Sequence, residues 1–139
     1  MKRIVADASV VVKWLLPEIH SEEAARLLQG DCDIWAPDLI WAEIGNVVWK
    51  KWRLGELSEV TGAALLQDFR RLPLSVQSSD LLVDAAWEIA HGLGRSFYDS
   101  LYLALARSQD CPLVTADLRL WNALRAGPAA GFLMWVGDV

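Results

Sequence analysis

KRIVADASVVVKWLL, residues 2–16, is the stretch whose reading decides the fold. KRIVA is a short β-type run, Asp7 stands directly at its end, and ASVVVKWLL continues as a helix that Pro17 stops. The same order recurs near the other end of the chain. There PLVTA (112–116) reads as a strand, Asp117 follows it, and LRLWNALRA (118–126) reads as a helix. A strand that ends on an acid and runs straight into a helix is the repeating unit of a parallel α/β sheet.

The intervening chain keeps that alternation. Ser21 is placed to cap a helix, SEEAARLLQ (21–29), with Glu22 and Glu23 in its positive first turn. IWA (34–36) reads as a strand, and Pro37-Asp38 opens a long helix to about Arg53, stopping near Gly55. Ser58 begins a further helix to about Arg71, LSV (74–76) is a strand, and Ser79 begins a helix to about Leu93 that Gly92 or Gly94 closes. SFYDSLYLALA (96–106) is the next helix, and FLMWV (132–136) is the last strand. The expected architecture is a three-layer α/β/α sandwich around a short, mostly parallel sheet, with residues 1–139 forming a single domain.

Composition narrows the function classes. A hydrophobic content of 54% supports a sizeable core. The longest uncharged stretch, 126–137, has 12 residues and includes Gly127, Pro128 and Gly131. A membrane-spanning helix needs roughly 20. Asp7 and Lys13 interrupt the apolar N-terminal run, so it does not read as a signal peptide, and the expectation is a soluble, cytoplasmic protein. The two cysteines, Cys32 and Cys111, form no CxxC and have no histidine at zinc-site spacing; they read as reduced thiols. With 13 basic and 18 acidic residues the net charge is −5, which is no signature of a nucleic-acid binder, although a local basic track is compatible with it.

The acids are the informative residues. In open α/β sheets ligands bind beyond the carboxyl ends of the strands, near the point where strand order reverses. Asp7 and Asp117 occupy that position, and each is also placed to cap the helix that follows. Asp99 has two readings as well. With Ser96 three residues before it, it fits a capping box and complements the helix dipole. Glu43 sits inside a helix, where a carboxylate has no capping role. Glu43, Asn46, Lys50 and Arg53 fall at i, i+3, i+7 and i+10, one polar stripe on an apolar helix. That stripe suits a metal beside a phosphate-backbone track, and it equally suits a plain solvated face.

If Asp7, Glu43, Asp99 and Asp117 converge, their mutual repulsion calls for protons or a cation. No lysine or arginine stands out as a partner for Asp7, Asp99 or Asp117, so a divalent metal is the natural counter-ion. Oxygen-only ligands point to magnesium or manganese. Ser9 and Thr115, each two residues from an aspartate, are placed to hold a metal-bound water or to complete the caps.

In these residues the chain resembles the PIN-domain family, specifically the VapC-type toxins of toxin–antitoxin pairs. The likeness runs nearly end to end. It is carried by DAS (7–9) after the first strand, the Glu within WAEIGNVV (41–48), FYDSLYLALA (97–106) and VTAD (114–117), in that order and spacing. The resemblance implies a metal-dependent endoribonuclease that hydrolyses phosphodiester bonds of single-stranded or loop RNA. The implied catalytic and metal-binding quartet is Asp7, Glu43, Asp99 and Asp117, with Asp7 and Asp99 as principal magnesium ligands and Thr115 in support. Asn122 stands near the final motif, so no fifth acid is assigned. A homodimer and a cognate antitoxin covering the acidic site are implied as partners. On this reading Asp99 serves as both cap and ligand, on a helix packed by Tyr98, Leu101, Tyr102 and Leu105.

Other features fit less specific roles. Of eight tryptophans, Trp14, Trp35 and Trp135 read as core, whereas Trp49, Trp52 and Trp87 read as contacts for antitoxin or a second copy ahead of base stacking. Glu88 and His91 at i, i+3 read as a solvated face, and the two histidines lack the partners of a histidine-type ribonuclease. A haloacid-dehalogenase-like phosphatase would need an acid where Ser9 stands. A phospho-receiver would need an Asp at the end of the strand in LSVQSS (74–79). The remaining alternative is a catalytically silent PIN-like module that binds RNA or protein.

Overall fold

The computed structural model describes residues 2–139. Five strands, β1 (Lys2–Ala6), β2 (Cys32–Pro37), β3 (Leu74–Gln77), β4 (Leu113–Thr115) and β5 (Leu133–Trp135), form one sheet in the order β3-β2-β1-β4-β5. Every pairing is parallel. Between them run α1 (Ala8–Leu15), α2 (Ser21–Gln29), α3 (Leu39–Arg53), α4 (Glu59–Arg70), α5 (Val83–Leu93), α6 (Phe97–Ser108) and α7 (Leu118–Leu124).

The three layers follow from burial. Successive strand side chains point to opposite faces. Ile4, Val5 and Ala6 of β1 are all fully buried, as are Leu113, Val114 and Thr115 of β4. Both faces of the central strands are therefore covered. The chain winds from β1 outward through β2 to β3, then crosses back to β4 and continues to β5. The direction of winding reverses between β1 and β4, and both strands end there on the motifs that carry Asp7 and Asp117.

The helix α6 lies across β1, β2 and β4, with α5 packed on it. Seven consecutive residues, Ser100–Ala106, are buried. Small side chains at Ser100, Ala104 and Ala106 let the middle of the helix sit in the interior, with exposed residues only in its first and last turns. Ser96 caps it, its Oγ accepting from the Asp99 N–H at 3.1 Å, and the buried Ser100 hydroxyl donates to the Ser96 carbonyl at 2.8 Å. Tyr98 departs from expectation: it is 63% exposed and does not pack the helix, a task left to Leu101, Tyr102 and Leu105. Gly94 closes α5 at φ +67°, a backbone position that favours glycine.

Several boundaries differ from the sequence reading for local reasons. Ser21 does not cap α2; its Oγ accepts from the Glu18 N–H at 2.8 Å, and His20 holds the cap position at φ 66°. Pro37 belongs to β2, and Asp38 reaches across to accept hydrogen bonds from the Ser79 N–H and hydroxyl rather than capping α3. The segment from Ser79 starts as a 3-10 turn (Ser79–Leu82) before α5. A 3-10 turn at Ala130–Phe132 likewise shortens the last strand. Trp14, Trp35 and Trp135 pack against the core while remaining half-buried, the first two donating their indole N–H to the Ala24 carbonyl and the Asp33 carboxylate. Both cysteines are free thiols. No helix among the described residues is long and apolar enough to cross a membrane.

Candidate active site

The four acids singled out in the sequence line one cleft of about 270 Å³ at the carboxyl ends of β1 and β4. Each comes from a different element: Asp7 from the end of β1, Glu43 from α3, Asp99 from the first turn of α6, and Asp117 from the turn after β4. Ser9, Val12, Val47, Tyr102 and Leu120 complete much of the wall.

Asp7 is the most tightly held. Its N–H donates to the Val114 carbonyl at 3.4 Å, joining the ends of β1 and β4. Thr115 Oγ1 donates to Oδ2 at 2.5 Å, the Ser9 hydroxyl donates to Oδ1, and the Val10 N–H reaches Oδ1 at 3.3 Å. The two hydroxyls have second roles: Ser9 Oγ accepts from the Ala116 N–H at 2.9 Å, and Thr115 Oγ1 accepts from the Asp117 N–H at 3.0 Å. The two strand-end acids are thus fixed to one another through Thr115. Burial raises the Asp7 carboxyl to about 6, the hydrogen bonds pulling it partly back and the Asp117 charge pushing it up. Asp117 caps α7, its Oδ1 accepting from the Arg119 and Leu120 N–H groups at 3.0 and 3.4 Å. Capping and cleft-lining coincide in both aspartates.

Glu43 turns inward from α3 and accepts a hydrogen bond at 2.5 Å from the Tyr102 hydroxyl. Its carboxyl is raised, chiefly by burial, with the Tyr102 bond opposing and the nearby Asp99 charge adding to the rise. Burial and the surrounding acids push the Tyr102 phenol well above its ordinary range, so it stays a donor. Tyr102 therefore makes a polar contact in the cleft, where the sequence alone assigned it to packing. A phenol on an apolar helix carries no other signal until its partner is known.

Asp99 corrects a second expectation. An arginine does stand beside it: Arg95 Nη2 donates to Asp99 Oδ2 at 3.0 Å. The i, i+4 spacing of Arg95 and Asp99 was visible, but Arg95 precedes the helix, where that spacing does not guarantee contact. The capping box is also only half formed, since the Asp99 carboxylate faces Arg95 while Ser96 serves the Asp99 N–H.

The polar stripe divides. Glu43 and Val47 of α3 face the cleft, whereas Asn46, Lys50 and Arg53 lie outside its wall on the exposed side. Arg53 rests over the Trp49 ring at 5.4 Å. Glu88 and His91 make no joint site: Glu88 pairs with Arg107 at 3.6 Å, and His91 lies against Trp87 at 5.4 Å.

Among the described residues no three acidic, histidine or cysteine side chains form a pre-assembled metal cluster. Each cleft acid is turned to its own partner, Asp7 to hydroxyls, Glu43 to a phenol and Asp99 to a guanidinium. The donor chemistry nonetheless suits a hard cation. All four candidates are carboxylates, two of them with ionisation opposed by burial, and a cation would relieve that cost.

Known proteins share the chain's sequence pattern and its fold. The PIN domain family model matches residues 4–124. Ribonuclease VapC1 of Mycobacterium tuberculosis is 34% identical over 124 residues, 86% of this chain and 90% of that protein. Among solved structures, PAE2754 from Pyrobaculum aerophilum superimposes with a TM-score of 0.72 at 23% identity, over 99% of this chain and 85% of its own. A toxin–antitoxin complex from Klebsiella pneumoniae has a chain that matches with a TM-score of 0.60 at 13% identity, over 94% and 95% of the two chains. By sequence and by fold, the chain belongs to the PIN-domain family, in its VapC ribonuclease branch.

Proposed function

We propose that the chain is the toxin of a toxin–antitoxin pair, an endoribonuclease that hydrolyses phosphodiester bonds of single-stranded or loop RNA with the help of a divalent metal. One observation carries the reading: four carboxylates from four separate elements line a single cleft at the reversal point of a parallel sheet. A chain with no use for a cation there would gain nothing from such mutual repulsion.

Asp7 and Asp99 would be the principal ligands of magnesium or manganese, with Glu43 and Asp117 completing the acidic wall. The ion supplies Lewis-acid stabilisation of the phosphate and an activated water when bound. Thr115 and Ser9 hold Asp7 in one rotamer, Thr115 ties it to Asp117, and Tyr102 sets the direction of Glu43. Sites of this kind work when their supporting residues lock the geometry. Asn46, Lys50 and Arg53, just beyond the cleft wall, would follow the RNA backbone leading to it.

The partner would be an antitoxin whose basic segment covers the acidic cleft, in keeping with the net charge of −5. The Klebsiella pneumoniae toxin–antitoxin complex shares the fold. Trp49, Trp52 and Trp87, about half or more exposed, suit contacts with that antitoxin or with a second copy in a cytoplasmic homodimer.

The test is cleavage of a structured RNA by antitoxin-free protein with magnesium or manganese, alongside Asp99→Asn. Metal-dependent cleavage lost in the variant is the expected outcome. Metal binding without cleavage of any RNA would instead favour a silent PIN-like module.

A further inference from the structure

Arg95 is placed where a cation gains little from its own helix. It directly precedes Ser96, the cap of α6, so it stands at the positive end of a helix dipole. Its side chain is 23% exposed, and its Nε is buried with no hydrogen-bond partner among the described residues. An unpaired buried donor is costly, and native chains tolerate few.

The guanidinium offers Nε and Nη2 as a parallel fork suited to two oxygens of a carboxylate or phosphate. Here Nη2 holds Asp99 Oδ2 and Nε holds nothing, so only half of the fork is used. The acceptor that would complete it is not supplied by the protein. Asp99 is at the same time a wall residue of the acidic cleft, beside Asp7, Glu43 and Asp117. Arg95 is not itself on the cleft wall; it is joined to it through Asp99, and only a turn of its side chain would present the buried Nε to an anion there.

We propose that Arg95 is a cation with two positions. Without metal it neutralises Asp99; once a divalent ion takes over that carboxylate, its Nε/Nη2 fork turns to an oxygen of the scissile phosphate. This rests on the nuclease reading above and adds to it a phosphate-binding residue from the chain itself. The exchange is electrically consistent, since the singly charged guanidinium leaves Asp99 only as a doubly charged ion replaces it. The released guanidinium then meets the negative charge that develops on the phosphate during hydrolysis.

The test uses the full-length protein with Arg95→Gln and Arg95→Lys, each first shown by thermal melting to be folded. Manganese binding without RNA is measured by calorimetry, and cleavage of a short fluorogenic RNA is measured at saturating manganese. Arg95→Gln should bind manganese about two- to tenfold more tightly, because it removes a competing cation. Its kcat at saturating manganese should fall about 100-fold, the scale of losing one charge-stabilising donor at a reacting phosphate. Arg95→Lys should keep manganese affinity near the parent and recover only part of kcat. A residue that merely supports the fold would not strengthen metal binding while weakening cleavage. Unchanged or weaker manganese affinity in Arg95→Gln, or unchanged kcat, overturns the assignment while the parent remains a metal nuclease. A parent that neither binds manganese nor cleaves RNA removes both readings.

Discussion

Replacing Asp7 with asparagine should stabilise the metal-free protein, although Asp7 lies in the most heavily bonded part of the cleft. Its carboxyl is raised from 3.8 to about 6, and burial is the main cause. A carboxyl whose folded pKa exceeds its unfolded one favours folding when protonated. Its contribution is therefore complete below about pH 4 and is lost as pH rises through about 6. At pH 7.5 the ionised Asp7 costs the metal-free fold about 3 kcal/mol, taking about 1.4 kcal/mol per pK unit. Asparagine keeps the shape and caps a helix about as well as aspartate, so the Val10 N–H retains an acceptor. Its amide has to donate toward one of the hydroxyls that now donate to it, which gives back part of the gain.

A net stabilisation of about 1–3 kcal/mol corresponds to roughly 3–10 °C in melting temperature for a chain of this size. The assay is denaturant unfolding of parent and Asp7→Asn in chelator from pH 4 to pH 8. The difference between the two curves isolates Asp7 from every other titrating group. It should open between pH 4 and pH 7 and stay level above. Added magnesium should reverse the order, raising the parent by about 4.1 kcal/mol at a thousandfold excess over Kd and the variant by much less. A variant less stable than the parent at pH 7.5 without metal, or a difference that does not change with pH, would refute the reasoning.

Other contacts lead to separate expectations. Tyr102→Phe removes the donor to a half-buried carboxylate and should cost about 1–2 kcal/mol in denaturant unfolding. It should also move the Glu43 carboxyl further up, shifting the acid limb of the pH–rate profile to higher pH; a profile that stays in place would separate Tyr102 from the chemistry. Thr115→Val deletes the donor to Asp7 and the acceptor of the Asp117 N–H together, so manganese affinity should fall about tenfold or more, with Thr115→Ser restoring it. Equal manganese binding by calorimetry in all three proteins would contradict that. Ser96→Ala removes the cap of α6 and should cost about 1 kcal/mol in unfolding. It should weaken metal binding as well, because the first turn holding Asp99 frays.

The central strands were legible because parallel strands buried on both faces read as unbroken apolar runs, as in Ile4-Val5-Ala6 and Leu113-Val114. Asp7 and Asp117 were legible because an acid directly after such a run stands at the mouth of the sheet. Glu43 stood out because a carboxylate inside an apolar helix has no capping role, whereas Asp99 also read as a cap and was singled out through the family resemblance. The partners of these acids were not legible. Arg95 reaches Asp99 from the segment before the helix, and the path of that segment is set by Gly94 and the turn around it, not by helical spacing. Tyr102 meets Glu43 across 59 positions of sequence, a contact that arises only because α3 and α6 are both brought against β2. Periodicity drew the stripe on α3 as one face and could not show where the cleft wall ends. Glu43 and Val47 fall inside it, with Asn46, Lys50 and Arg53 outside. Asp38 showed the opposite case: a cap by position, it is drawn away by Ser79 on a neighbouring turn.

If the acidic cleft cuts RNA through a bound divalent ion, cleavage has to follow the metal. The most direct measurement is the cleavage rate of a structured RNA by antitoxin-free protein that has been stripped with chelator and then titrated with manganese. The stripped protein should not cleave in chelator and should recover fully on titration, whereas Asp99→Asn should not recover at the same manganese concentrations. Cleavage that persists in the stripped protein, or that survives Asp99→Asn undiminished, would contradict metal-dependent cutting at this cleft.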